Sequence, residues 1–273
     1  MKKAVSFLIM FAFVLSITVP AYAKTKSETV TVSLDKIEDL LINPTSEELL
    51  NAQLLYLTCC NDALKTATNA NTYDSKAQEL AIAEKKLELG YISQKEYEDI
   101  AKSLKDTSTS QVTDTNTRAQ NLLSLRHMFG LDDDDKMIVK AADYSKINLN
   151  KINNASYKRD LKDNDLNDLS GSDATDTELT GKVEALKRSY DALYQASLTY
   201  QTSLTDYQKK EADAKLTQSK YQQGYATKQE VDDINRELST MKITVDINRN
   251  NLYAAYLKYD FLRNNPDEYQ SFH

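Results

Sequence analysis

Tryptophan is absent from the 273 residues, and only three prolines, five glycines and two cysteines occur. So few breakers leave room for long helices and little material for the many turns of an all-β chain. The two cysteines, Cys59 and Cys60, are adjacent and make no disulfide framework. On a helix their side chains diverge by about 100°, which strains a bond between them. They read as two small buried residues on a two-faced helix, with pairing between subunits as the alternative. The net charge of −7 excludes the basic face that nucleic acid requires and gives no pull toward anionic lipid. After residue 19 no apolar run is long enough to cross a bilayer as a helix, and no alternating strands with aromatic girdles point to a membrane β-barrel. There is no nucleophile elbow, phosphate loop or acid–base signature. His127 and His273 are far apart, and no His/Cys cluster has metal-ligand spacing. The acidic runs 132–135 and 160–176 lack the glycine and terminal glutamate of a calcium loop. The expectation is a chain that is not an enzyme and needs no cofactor or metal.

What the chain does have is a repeat. Residues 86–104 read KLELGYISQKEYEDIAKSL, and residues 220–238 read KYQQGYATKQEVDDINREL. The two are offset by 134 residues without a gap, seven of nineteen positions are identical, and three more are conservative swaps. In each copy a helical pattern runs into a lone glycine, then a tyrosine, then Ser93 or Thr227, then a second helical pattern. Gly90 and Gly224 suit the left-handed conformation that ends a helix. Ser93 and Thr227 suit the cap of the next helix, with Glu96 and Glu230 three residues on as a capping box requires. Each copy is expected to be the tip of a helical hairpin.

The rest of the chain fits around these tips. The start, MKKAVSFLIMFAFVLSITVPAYA, reads as a secretory signal, with Lys2 and Lys3 before an apolar stretch and Ala21-Tyr22-Ala23 as the cleavage site. A protein exported to the cell envelope is expected, cleaved after Ala23, on the periplasmic or extracytoplasmic side. Residues 24–45 lead in: Val30, Val32 and Leu34 alternate, then Leu34, Ile37, Leu40 and Leu41 take helical spacing. Asn43-Pro44 is a break, and Thr45 or Ser46 caps the long helix after it. Residues 46–130 form the first hairpin, with a possible break at 68–72 and a returning helix at 94–129 whose middle, KDTSTSQVTDTNTR, is poor in helix formers. Residues 131–176 are a connector, with a strand expected at 137–139 and a short helix near 156–169. Residues 177–264 form the second hairpin, and 265–273 a tail. The helix at 177–223 carries a heptad seam, and the one at 228–262 carries two, so it needs neighbours on both sides. The fold class is therefore all-α: two long antiparallel helical hairpins in tandem, in which a second seam stays exposed if the chain is alone, favouring self-association.

At these residues the chain resembles the TolC-like outer-membrane efflux protein family. Both tips match the family's pattern of a helix, Gly, Ser/Thr, Glu and a returning helix. LLSLRHMFGL at 122–131 resembles the close of the family's first returning helix, SLDKIEDLLINP ending at Pro44 resembles its opening, and Ser156 to Leu161 resembles a segment of its equatorial region. The resemblance implies a homotrimer whose twelve helices form an α-barrel conduit, with hairpin tips that dock the adaptor protein of an ABC or proton-driven pump. Carried over by position, the docking residues are Leu89, Gly90, Tyr91, Ile92 and Ser93, and Gln223, Gly224, Tyr225, Ala226 and Thr227. Acidic gate rings would fall at Glu230 and Asp233, mirrored by Glu96 and Asp99. The chain departs from the family in having no room for the strands of an outer-membrane barrel, which implies a barrel-less relative. The competing readings are a scaffolding coiled-coil protein of the cell envelope, and a periplasmic adaptor, against which the doubled hairpin and scarcity of strands count.

Overall fold

The computed structural model describes residues 29–132, 135–145, 152, 155, 159–160 and 177–272. The segment 1–23 read as a signal lies outside them, as do His273 and the expected helix at 156–169 apart from Arg159 and Asp160.

The protein is all-α in class. Strand β1 (Thr29–Val32) is followed by a short helix α1 (Ile37–Leu40), then α2 (Ser46–Glu88), α3 (Gln94–Met128), strand β2 (Lys136–Val139), α4 (Thr177–Gln222), α5 (Lys228–Asn264) and a 3₁₀ stretch at Pro266–Phe272. The cap of α2 is Thr45, whose hydroxyl accepts the Glu48 amide at 3.2 Å while the Glu48 carboxylate takes the Thr45 amide at 2.8 Å. No break occurs at 68–72. The hydroxyls of Thr66, Thr68 and Thr72 donate to the carbonyls four residues back at 2.8, 3.1 and 2.9 Å, so these side chains are satisfied inside the helix instead of competing with it. The threonine-rich middle of α3 uses the same device at Thr107, Thr109, Thr113 and Thr115, and α3 is continuous.

Helix α2 packs along α3, α4 packs along α5, and α5 also lies against α2. The lateral order is α3–α2–α5–α4, an open layer in which each outer helix has one lengthwise helical neighbour. The second seam of α5 is not left bare, contrary to expectation. Ala254 and Leu257 pack on a cluster built from Val32, Ile37, Tyr56, Leu57, Leu125 and Phe129. The other face of α5 closes a cluster with Leu50, Leu186, Leu193, Leu252, Tyr256, Tyr259 and Leu262. Both clusters sit at the base, away from the turns between helices. Toward the turns the buried apolar residues thin to Ala83, Ala214 and Val231.

Polar contacts fix the base. Asn61 of α2 donates to the Asn251 side chain at 2.9 Å and accepts from Asn250 at 2.7 Å, while the Tyr144 hydroxyl donates to Asn250 at 2.6 Å. The connector is pinned at Asp160, which is 2% exposed and accepts a hydrogen bond from the Tyr259 hydroxyl. Burial, followed by that carboxylate, raises the Tyr259 pKa. β1 and β2 pair in parallel, Val30 opposite Met137 and Val32 opposite Val139, realising both the Val30–Val32 alternation and the strand expected near 137–139. The Tyr56 hydroxyl then ties α2 to the carbonyl of Lys140 at 2.9 Å. At the other terminus Tyr269 lies on Gly181, where an added Cβ would fall 2.5 Å from the ring. Lys182 pairs with Asp267 at 2.6 Å.

Asn250→Ala strips Tyr144 and Asn61 of a shared partner inside the base. It should lower the urea-unfolding free energy by about 1–3 kcal/mol without changing helical content.

Candidate functional site

The two turns, 89–93 and 223–227, are built alike from local chemistry. At the first, the Gly90 amide donates to Leu87 at 2.9 Å and the Tyr91 amide to Lys86 at 2.8 Å, with Gly90 at φ 74°. At the second, Gly224 donates to Tyr221 at 3.0 Å and Tyr225 to Lys220 at 2.8 Å, with Gly224 at φ 80°. This pair of bonds is the Schellman closure, which satisfies the last carbonyls of a helix and requires a residue that tolerates the left-handed region. The chain then enters the next helix through a capping box. Ser93 accepts the Glu96 amide at 3.2 Å and Glu96 takes the Ser93 amide at 2.7 Å; Thr227 and Glu230 repeat this at 3.2 and 2.6 Å.

Each turn pushes an aromatic ring into solvent. Tyr91 is 75% exposed, Tyr225 81% and Leu89 67%, and among the other described tyrosines only Tyr194 and Tyr221 are exposed. Gly90, Ser93, Gln223, Gly224 and Thr227 are also exposed, while Ile92 and Ala226 are half-buried. The two turns lie at the same end of the molecule, since Lys86 and Ile92 of the first share a cleft of about 910 Å³ with Lys228 and Gln229 of the second. Ile82 and Ile100 give this cleft an apolar floor, and Asp232, Asp233 and Arg236 a charged wall. Sequence reasoning did not single out Lys86, Ile82 or Lys228, because nothing in a one-dimensional pattern places α2 opposite the start of α5.

The acidic positions have local occupations. Glu96 and Glu230 are held in their capping boxes, and the backbone and side-chain hydrogen bonds of Ser93 and Thr227 hold their carboxyls below the ordinary range. Asp233 pairs with Arg236 at 3.1 Å, and Arg236 reaches Ser75 of α2 at 3.3 Å. Asp99 is exposed. Cys59 and Cys60 are buried and free; burial, followed by Asp62, pushes the Cys59 thiol up to about 12, and burial raises Cys60. No group of metal-binding side chains occurs among the described residues, and none of their helices is long and apolar enough to cross a membrane.

Set against protein-family models, curated proteins and solved structures, the chain matches none.

Because the folded carboxyls of Glu96 and Glu230 titrate below the ordinary 4.5, the caps stabilise the tips fully above that pH and lose their effect as pH falls through the depressed values. Hydrogen exchange should show the amides of Ser93 and Thr227, which donate to those carboxylates, losing protection as pH falls through the depressed values, while those of Leu57 and Leu252 at the base stay protected. Glu96→Gln and Glu230→Gln should flatten that dependence.

Proposed function

We propose that the chain is a TolC-like component of an export system, a barrel-less member of that plan, whose paired tips dock a helical adaptor. The two helix pairs are read as copies of one ancestral hairpin. The observation that carries the reading is the identical construction of two tips at one end, each presenting a tyrosine to solvent on a rigid frame. A tyrosine held this way offers a large contact area at little cost in side-chain entropy, the usual character of an anchor residue. The cleft between the tips adds an apolar floor with charged walls, which suits the end of a partner hairpin.

Self-association to a trimer is part of the proposal. Among the described residues, an open layer leaves the outer flanks of α3 and α4 without a lengthwise neighbour. Val112 and Leu123 of α3, and Tyr194, Leu198 and Leu216 of α4, are exposed apolar residues that copies of the chain would cover. The acidic-ring element finds less support, because three of its four carboxylates are engaged within their own helix ends. Cell-envelope localisation rests on the N-terminal segment read from the sequence.

Light scattering should give a mass near three times that of the chain by itself, and that mass plus the adaptor's when an adaptor is bound. Cysteines introduced at Tyr91 and Tyr225 should crosslink to a cysteine at the hairpin tip of a co-expressed adaptor, whereas one at Val112 should not; the buried native thiols stay silent. A strict monomer that captures no adaptor would instead favour a scaffolding coiled-coil protein.

A further inference from the structure

A second concave feature lies at the base, far from the tips: a cavity of about 220 Å³ between α2, α3, α5 and the residues just after β2. One part of its wall is short or apolar, with Cys59, Cys60, Ala63, Leu64, Leu122 and Ala142, and the other is polar, with Asp246 and Asn250 beside the arginines. Both thiols are held neutral by burial, so they behave as small apolar groups.

Two guanidinium groups line the same space. That of Arg249 is committed: it donates to Asp246 at 2.6 Å and lies 4.9 Å over the Tyr144 ring. Arg118 is different. It is half-buried and has no ion pair among the described residues; its Nε, like that of Arg249, is sealed from water without a hydrogen-bond partner. Asp246, which lines the cavity, pairs with Arg249, and the buried Asp62 accepts the Asn121 amide at 2.7 Å; neither makes an ion pair with Arg118. Lys140, on the same wall, adds positive charge and is exposed. A guanidinium beside an apolar space with no counterion of its own suits a bidentate anion, because a carboxylate matches its fork of donors.

We propose that this cavity binds a small carboxylate with an apolar body about one ring in size, its carboxylate seated on Arg118. The volume sets the class. A dry cavity of about 150 Å³ accepts benzene, so 220 Å³ leaves room for a ring and a carboxylate but not for a nucleotide or a peptide. The bound molecule touches α2, α3 and α5 together, and so stiffens the join between the two helix pairs. The site does not depend on the docking reading.

Benzoate is the probe. Titrated into the full chain and followed by calorimetry and by chemical-shift changes at the Ala63 and Leu122 methyls, it should bind saturably. Benzamide, equal in size and uncharged, should bind about tenfold more weakly or worse, and Arg118→Gln should weaken benzoate by about the same factor. Arg118→Lys keeps the charge and should retain part of the affinity, which separates loss of the anion contact from loss of the fold. Ala142→Phe, which fills the space, should abolish binding. Absence of saturable benzoate binding, equal affinity for benzamide, or undiminished binding by Arg118→Gln would each overturn the site.

Discussion

The side-chain amides of Asn61, Asn250 and Asn251 are the fixed point of this molecule. The α2–α5 contact is the lengthwise join between the two helix pairs, and apolar stripes alone would let those pairs slide by a turn at modest cost. A polar residue within an apolar seam selects one register, since any other leaves its amide buried and unpaired. The consequence shows at the far end. At 1.5 Å per residue, about 40 Å of helix runs from Asn61 to Glu88 and about 33 Å from Asn250 to Lys228. The tips are therefore level to within about two helical turns, and they share a cleft because of a contact made far away.

Packing is unevenly distributed along the layer. The base holds both apolar clusters, the asparagine set, the Asp160–Tyr259 contact and the small sheet. The outer halves are held by sparse polar links instead, such as Lys210 to Glu237 at 2.7 Å and the Asn69 amide on Asp114. Exposed pairs of this kind contribute little. Local opening is thus easiest near the tips, where the Schellman closures and capping boxes matter most.

Legibility in the sequence tracked the range of the interaction. The turns at Gly90 and Gly224 and the caps at Ser93 and Thr227 were legible because every atom involved lies within six residues. The strand near 137–139 was legible from its β-branched run. The continuity of α2 through 68–72 was not, since threonine propensity alone does not show that each hydroxyl is satisfied four residues back. The role of Asn61 was not legible either, because its partners lie about 190 residues away and no local pattern marks them. The cavity at Arg118 was invisible for the same reason: its lining comes from four separate elements, and none of its residues is unusual in its own helix.

The parallel pairing of β1 with β2 bears on the order of assembly. Val32 can find Val139 only after the whole of α2 and α3 lies between them, so that contact closes a loop of about a hundred residues. An antiparallel partner could have been supplied by a tight turn; a parallel one cannot. A chain emerging from its N-terminus must therefore carry the Val30–Val32 segment unpaired until every residue of the first two long helices has been made, and the strand pair ties together the two ends of that helix pair.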